Sequence, residues 1–153
     1  MTGIAREPMS SATLTLVPAT TVHFEALEAG RTLDGLVLAT GFPHEDTLDG
    51  LRAGLGWLVV VDGRVVGDCG LHGPGDDPSV VEIGYGLAEP ERGRGYGTEA
   101  VRLLVDWLLD QPSVRAVMAE VDPDNVPSRR VLEKNGFLRE TAGPGGVLYR
   151  RSR

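Results

Sequence analysis

Apolar and polar positions alternate, then cycle, then alternate again along this chain. Leu14-Thr15-Leu16-Val17-Pro18 alternates as a short first strand, which the proline ends. Thr20 or Thr21 caps a helix running to Ala29, and Gly30 supplies its stop. Thr32–Leu38 fits neither period, Gly41–Asp46 reads as a loop, and Thr47 caps a short helix toward Leu55. From Trp57 the pattern becomes that of strands. Trp57–Val61 and Arg64–Leu71 flank Asp62-Gly63, a strong two-residue hairpin signal. The loop around Gly73-Pro74-Gly75 follows, and then the strand Val80–Leu87.

Thr98–Asp110 is the clearest helix. Glu99, Arg102, Asp106 and Asp110 form one charged stripe, and the other faces are apolar, as in a helix packed on a sheet. Arg115–Val121 is a strand and Asp122-Pro123-Asp124-Asn125 a turn. A short helix then runs to Asn135, where Gly136 gives a left-handed stop. Leu138–Glu140 and Val147–Arg151 form a last hairpin around Gly143–Gly146. The order predicts an α+β fold, with one domain over residues 13–153 after a loose tail over residues 1–12.

Composition narrows the picture. The 153 residues suit one domain, and a chain of this size buries roughly 70% of its unfolded surface. Charged residues make up 24% and hydrophobic residues 41%, and no apolar run approaches a membrane span. The first residues lack the apolar stretch of a secretory signal, and Cys69 is the sole cysteine, so a cytoplasmic location is expected. The net charge of -7 argues against nucleic acid as a partner and suits a cationic one.

Against that acidic background stands a basic, glycine-rich turn between a strand and a helix: Arg92-Gly93-Arg94-Gly95-Tyr96-Gly97. Alternate glycines clear side chains away from backbone N–H groups, and the helix behind adds the positive end of its dipole. This is a site for a pyrophosphate or similar polyanion. The dinucleotide fingerprint is excluded, because Thr98 stands where its third glycine belongs and the preceding strands read as antiparallel. A phosphate loop ending in Gly-Lys-Ser/Thr is absent.

The turn resembles the R/Q-x-x-G-x-G/A signature of the GNAT superfamily, the acyl-CoA-dependent N-acetyltransferases. Asn125–Phe137 is similar to the N-x-x-S-x-x-V-L-E-K-x-G-F segment of the branch containing ribosomal-protein N-terminal acetyltransferases, and Val81–Tyr85 is similar to its E-I-G-Y strand. The resemblance implies a mixed, mostly antiparallel sheet of six to seven strands with about four helices on both faces. It implies acetyl-CoA as co-substrate, with the pyrophosphate held from Arg92 to Gly97 (Arg92, Gly93, Arg94, Gly95, Tyr96, Gly97) and into Thr98. It also implies that Gly86 and Leu87 pair with the pantetheine arm and that Asn125 bonds it from the far side. No metal is expected. The acceptor is an amine-bearing small molecule or a protein N-terminus, with no membrane partner, and the family often forms dimers, so a homodimer stays open.

Acetyl transfer to an amine needs a base and a proton for the departing thiolate. Glu82 is the base candidate, as an acid inside an apolar strand where burial would raise its pKa; a simple ion pair is the competing reading. Ser128 is the acid candidate, with helix capping as its alternative. Many family members carry a tyrosine four residues further on, where this chain has Leu132. That departure keeps a second reading open: an acyl-CoA sensor or partner-binding module without turnover. Tyr85, Tyr149 and His72 rank lower for the site, Cys69 reads as buried packing, and His44-Glu45-Asp46 is a poor metal set.

Overall fold

The centre of the sheet is set by the Asp62-Gly63 turn. Both residues take positive φ, 50° and 74°, the geometry whose twist matches two antiparallel strands. They join β4 (Gly56–Val61) to β5 (Arg64–Leu71). The computed structural model describes residues 6–33, 35–43, 55–72 and 75–153. The other strands are β1 (Met9–Ser10), β2 (Thr15–Pro18), β3 (Val37–Leu38), β6 (Val80–Leu87), β7 (Ala116–Val121), β8 (Leu138–Gly143) and β9 (Gly146–Ser152). Their order is β1-β2-β4-β5-β6-β7-β9-β8, with β3 alongside β5. Every neighbouring pair is antiparallel except β6 with β7 and β3 with β5.

The nine strands among the described residues are the expected seven plus β1 and β3, each of two residues. Of the tail expected to be loose, residues 6–10 are tied down. Met9 and Ser10 pair with Leu16 and Thr15. The Arg6 guanidinium donates to the carbonyls of Ala19, at 2.8 Å, and of Gly56, and the Trp57 indole donates to the carbonyl of Glu7 at 2.9 Å. Polarity alone hid this segment, because its attachments are backbone pairs and one cationic side chain.

Three helices lie in the described residues: α1 (Thr21–Glu28), α2 (Tyr96–Leu109) and α3 (Val126–Lys134). The expected helix from Thr47 toward Leu55 falls on positions 44–54, outside the described residues. Thr20 caps α1 with a reciprocal capping box through His23. Helix α3 ends in a Schellman motif: Phe137 N–H bonds Leu132 C=O and Gly136 N–H bonds Glu133 C=O, with Gly136 at φ 80°. Helix α2 begins two residues earlier than its apolar period suggests, so Tyr96 and Gly97 belong to its first turn. It buries Ala100, Val101, Leu104, Val105 and Leu108 against the sheet, while Arg102 pairs with Glu99 and Asp106 on the outside. Trp107 meets the fully buried Trp57 edge-on at 5.3 Å. No helix among the described residues is long and apolar enough to cross a membrane.

The β6–β7 pair is short. Its register runs only through Val80↔Ala116, Val81↔Val117 and Glu82↔Met118. Beyond Glu82, β6 keeps only its β5 partner, and beyond Met118, β7 keeps only β9. At the closed end, Arg115 bonds Ser79 Oγ at 2.9 Å and Asp77 at 2.6 Å, and its backbone N–H bonds the Ser79 carbonyl at 2.9 Å. The strands therefore start as neighbours and then diverge.

Close approach of β5 and β6 opposite the divergence depends on Gly67. A Cβ there would lie 2.2 Å from the Gly86 carbonyl oxygen and 3.0 Å from Leu87 Cα, both backbone atoms. Gly67→Ala is expected to cost about 1–3 kcal/mol by overpacking, read as a lower urea midpoint. An unchanged midpoint would show that β6 can move without loss.

Candidate active site

Two clefts meet at the end of β6, beside Asn125. One, of about 710 Å³, lies along β5 and β6 and is lined by Asp68, Gly70, His72, Gly84 and Phe42 among others. The second, of about 530 Å³, lies between the end of β6, the glycine loop and the start of α3. Both are lined by Tyr85, Gly86, Leu87, Arg92 and Asn125, so together they form one passage.

The glycine loop follows a single 3-10 turn, Glu89–Glu91. Gly93 and Gly95 both take left-handed backbone, at φ 79° and 84°, which aims successive N–H groups to one side. Among the described residues, the N–H groups of residues 93–98 have no acceptor within the protein. They include the unpaired donors that every helix start carries, here at the N-terminus of α2. Gly93, Gly95, Gly97 and Thr98 line the second cleft together with Arg92. Gly97 is buried and faces Val131 and Leu87, so it sets how closely α2 and α3 approach. Arg94 and Tyr96 are not among the lining residues. Arg94 instead lies 3.8 Å from Glu91.

Glu91 is the part of this loop that sequence reasoning missed. Its side chain is only 9% exposed and takes two hydrogen bonds of 3.0 Å from Arg64, at the start of β5. The Arg64 hydrogen bonds, with charge attraction from Arg64 and Arg94, hold the Glu91 carboxyl below its ordinary range, against the opposing effect of burial. No short-range spacing joins positions 64 and 91; only the β5–β6 pairing brings them together.

On β6 the register decides what each backbone group meets. His72 N–H bonds the Glu82 carbonyl at 2.8 Å and Ala88 N–H bonds the Val66 carbonyl at 2.8 Å, so even-numbered residues of β6 address β5. The N–H and C=O groups of Ile83, Tyr85 and Leu87 therefore point at the gap. The Leu87 carbonyl on that side accepts Arg92 Nε at 3.3 Å, whereas Gly86 turns its polar groups toward β5 and contributes room. Asn125 is the N-cap of α3: its Oδ1 accepts the Ser128 N–H at 3.2 Å, and the residue also lines both clefts.

Across the gap, the Tyr85 hydroxyl bonds Ser128 Oγ at 2.6 Å and donates to the Ser128 carbonyl at 3.0 Å. Burial pushes the Tyr85 phenol up to about 12, partly opposed by its bond to Ser128, so it carries its proton throughout the neutral range. Leu132, where the family resemblance would place a tyrosine, is fully buried. The phenol of this site comes from the strand instead. Tyr149 is also fully buried, with its hydroxyl held by Arg129 at 3.0 Å, and belongs to the core.

Glu82 departs from expectation. Its side chain is 41% exposed, not buried; beside it on the same face lie the half-exposed His72, Gly84 and the partly buried Met118 of β7. Its carboxylate contacts His72 Nδ1. The burial expected of Glu82 is therefore not found. Cys69 is buried as expected, and desolvation, with a smaller contribution from the Asp68 charge, pushes its thiol far above the ordinary range, which leaves no thiolate nucleophile. His44, Glu45 and Asp46 lie outside the described residues.

Comparison with known proteins agrees with this geometry. The model of the acetyltransferase (GNAT) domain family matches residues 14–138. An uncharacterized N-acetyltransferase of Bacillus subtilis, YjdG, is 33% identical over 84 residues, covering 54% of this chain and 50% of that protein. Aminoglycoside N(6')-acetyltransferase type 1 of Klebsiella pneumoniae is 38% identical over 77 residues, covering 48% of this chain and 38% of that one. The chain thus spans about half the length, or less, of these curated relatives. Among solved structures, the ribosomal L7/L12 α-N-protein acetyltransferase RimL in complex with coenzyme A superposes with a TM-score of 0.70 at 20% identity, over 95% of this chain and 98% of that one.

The Arg64–Glu91 clamp predicts a pH effect. The folded pKa of Glu91 lies below its ordinary value of 4.5, so its stabilisation is fully present above about pH 4.5 and is lost as pH falls through the lowered folded value. Wild-type stability should therefore drop more steeply below about pH 4.5 than that of Glu91→Gln, which should start lower and stay flatter. Denaturant melts across that range check this; parallel curves would dismiss the clamp.

Proposed function

The chain belongs to the GNAT acetyltransferase family, and from that premise we propose that it moves an acetyl group from acetyl-CoA directly to a primary amine within one ternary complex. The observation that carries the reading is the set of N–H groups over residues 93–98 without an internal acceptor, beside Arg92, at one end of the passage that the two clefts form. A diphosphate suits that end: the loop amides and the helix dipole offer fixed positive potential, and the two left-handed glycines place no Cβ in the way. A flexible amide-bearing arm suits the gap, where Tyr85 presents a backbone donor and acceptor as a sheet edge does, beside the Leu87 carbonyl that accepts Arg92 Nε at 3.3 Å. Acetyl-CoA supplies the activated acyl group; the chain supplies position, charge and proton traffic.

In this reading Arg92, Gly93, Gly95 and Thr98 hold the diphosphate, Arg94 steadies the loop through Glu91, and Tyr96 and Gly97 form the helix start behind it. Asn125 keeps α3 at the edge of the gap through its cap. Proton removal from the amine belongs to the Glu82 end of the passage. Proton delivery to the leaving sulfur belongs to Ser128, whose hydroxyl is tied to the Tyr85 phenol. The sensor reading drew on the missing tyrosine at Leu132. Tyr85 restores a phenol to the same cleft from another element, which favours turnover.

The acceptor is an amine in the cleft lined by Asp68, with Glu82 nearby on the side away from the loop. The named activities of the relatives, on an aminoglycoside amine and on a protein N-terminus, mark two acceptor classes to screen.

Acetyl-CoA at about 100 times its Kd should add about 2.7 kcal/mol of stability and raise the melting temperature; no rise at millimolar ligand would remove the reading. Gly95→Asp forces a side chain onto backbone at φ 84° and adds like charge where the diphosphate sits. It should weaken acetyl-CoA binding by about tenfold to a hundredfold, or about 1.4–2.8 kcal/mol, by calorimetry. Unchanged affinity in that variant would displace the diphosphate from the loop.

A further inference from the structure

Directly opposed residues of an antiparallel ladder share a face, and on one face of this sheet they are mostly glycine. Gly56 opposes Gly70, and Gly70 opposes Gly84, so a row across β4, β5 and β6 carries no side chain. At the β6 end of that row stands His72. Its Nδ1 contacts the Glu82 carboxylate, and a Cβ on Gly84 would lie 2.6 Å from its Nε2. The ring thus lies over a glycine that leaves it room, and both residues line the first cleft.

We propose that His72 is the base that deprotonates the acceptor amine, with Glu82 as the residue that positions it. This rests on the transferase reading above and assigns the proton step within it. A carboxylate on Nδ1 keeps the neutral ring protonated there, which leaves the Nε2 lone pair free toward the cleft. The geometry parallels the general arrangement in which an acid orients an imidazole and the imidazole moves the proton. Among the described residues, the other charged groups facing the cleft are Asp68 on β5 and Glu89 and Arg92 beyond the end of β6. His72 Nε2 takes one proton from the substrate ammonium. The freed nitrogen lone pair bonds the acetyl carbon as the carbon–sulfur bond breaks, and its electron pair leaves on sulfur. The Tyr85–Ser128 hydroxyl pair gives that sulfur a proton and is refilled by the second amine proton. The third stays in the amide, and Nε2 releases its own proton to solvent.

The test uses the full chain with acetyl-CoA and a panel of peptide N-termini, polyamines and aminoglycosides. His72→Gln should lower kcat about a hundredfold near neutral pH, the scale of general-base catalysis, and leave the acetyl-CoA Kd within about twofold. That loss should shrink as pH rises toward the amine's own pKa, because the acceptor then arrives deprotonated; a merely structural role predicts a constant loss. Glu82→Gln should lower kcat about tenfold at unchanged acetyl-CoA affinity, as expected when the base is present but poorly oriented. Independently of turnover, long-range proton–nitrogen NMR of neutral His72 should show the proton on Nδ1 in the wild type and lose that fixed tautomer in Glu82→Gln. Wild-type rates in His72→Gln, or a wild-type ring protonated at Nε2, would overturn the base alone. Failure of the wild type to acetylate any amine of the panel would overturn the transferase reading and the base with it.

Discussion

Everything functional in this fold depends on a parallel strand pair that stops after three residue pairs. An uninterrupted β6–β7 ladder would satisfy the backbone of both strands and leave a closed sheet. Here the pair is secured at its start, where Arg115 binds Asp77 and Ser79, and released beyond Glu82 and Met118. The cost of release is a run of backbone polar groups without a ladder partner. Such groups are costly when dry, so a gap of this kind persists only where water or a ligand can fill it. The two clefts meet beside that divergence, at the end of β6.

The edges of the gap are held apart as deliberately as its start is held together. Gly97 lets α2 lie close to α3 and to Leu87, and Asn135 bonds the Thr98 carbonyl at 3.2 Å and the Val131 carbonyl at 2.9 Å, which ties the two helices. Tyr85 reaches from β6 to Ser128 and fixes the width on the strand side. Glu91, bound by Arg64, fastens the glycine loop to the central hairpin. A loop of left-handed glycines has little rigidity of its own. Anchored at one end by a buried ion pair and at the other by helix α2, it can keep its amides in one direction without side-chain support.

Features set by neighbours in the chain were legible before any coordinates. The Asp62-Gly63 hairpin, the Gly136 stop, the strand–glycine turn–helix order and the turn at Asp122-Pro123-Asp124-Asn125 all arise from local backbone preferences, and each appears where the residues place it. Features set by distant partners were not legible. Met9–Ser10 and Val37–Leu38 are too short to show a period and exist because β2 and β5 offer free edges. Glu82 reads as buried because Val80, Val81 and Ile83 surround it in sequence. Its real surroundings are set across the strands, by the half-exposed His72 on one side and Met118 on the other, with Gly84 beside it. The Arg64–Glu91 clamp and the Tyr85–Ser128 bond each join positions tens of residues apart, beyond the reach of any local pattern.

Charge divides the passage into two ends. One end carries Arg92 and the unpaired amides of a helix N-terminus; the other carries Asp68, with Glu82 bound to His72 close by. In a chain of net charge -7, the cationic end is a local exception and the anionic end continues the general field. On the proposed reading this division sorts the two substrates without a gate. A polyanion is repelled everywhere except at the glycine loop, and an ammonium group is drawn to the face where His72 can take its proton. The ammonium is attracted by the same acids that, left alone, would keep it protonated and unreactive. A base placed among those acids resolves that conflict, because it converts a well-bound cation into a nucleophile at the point where the strands part.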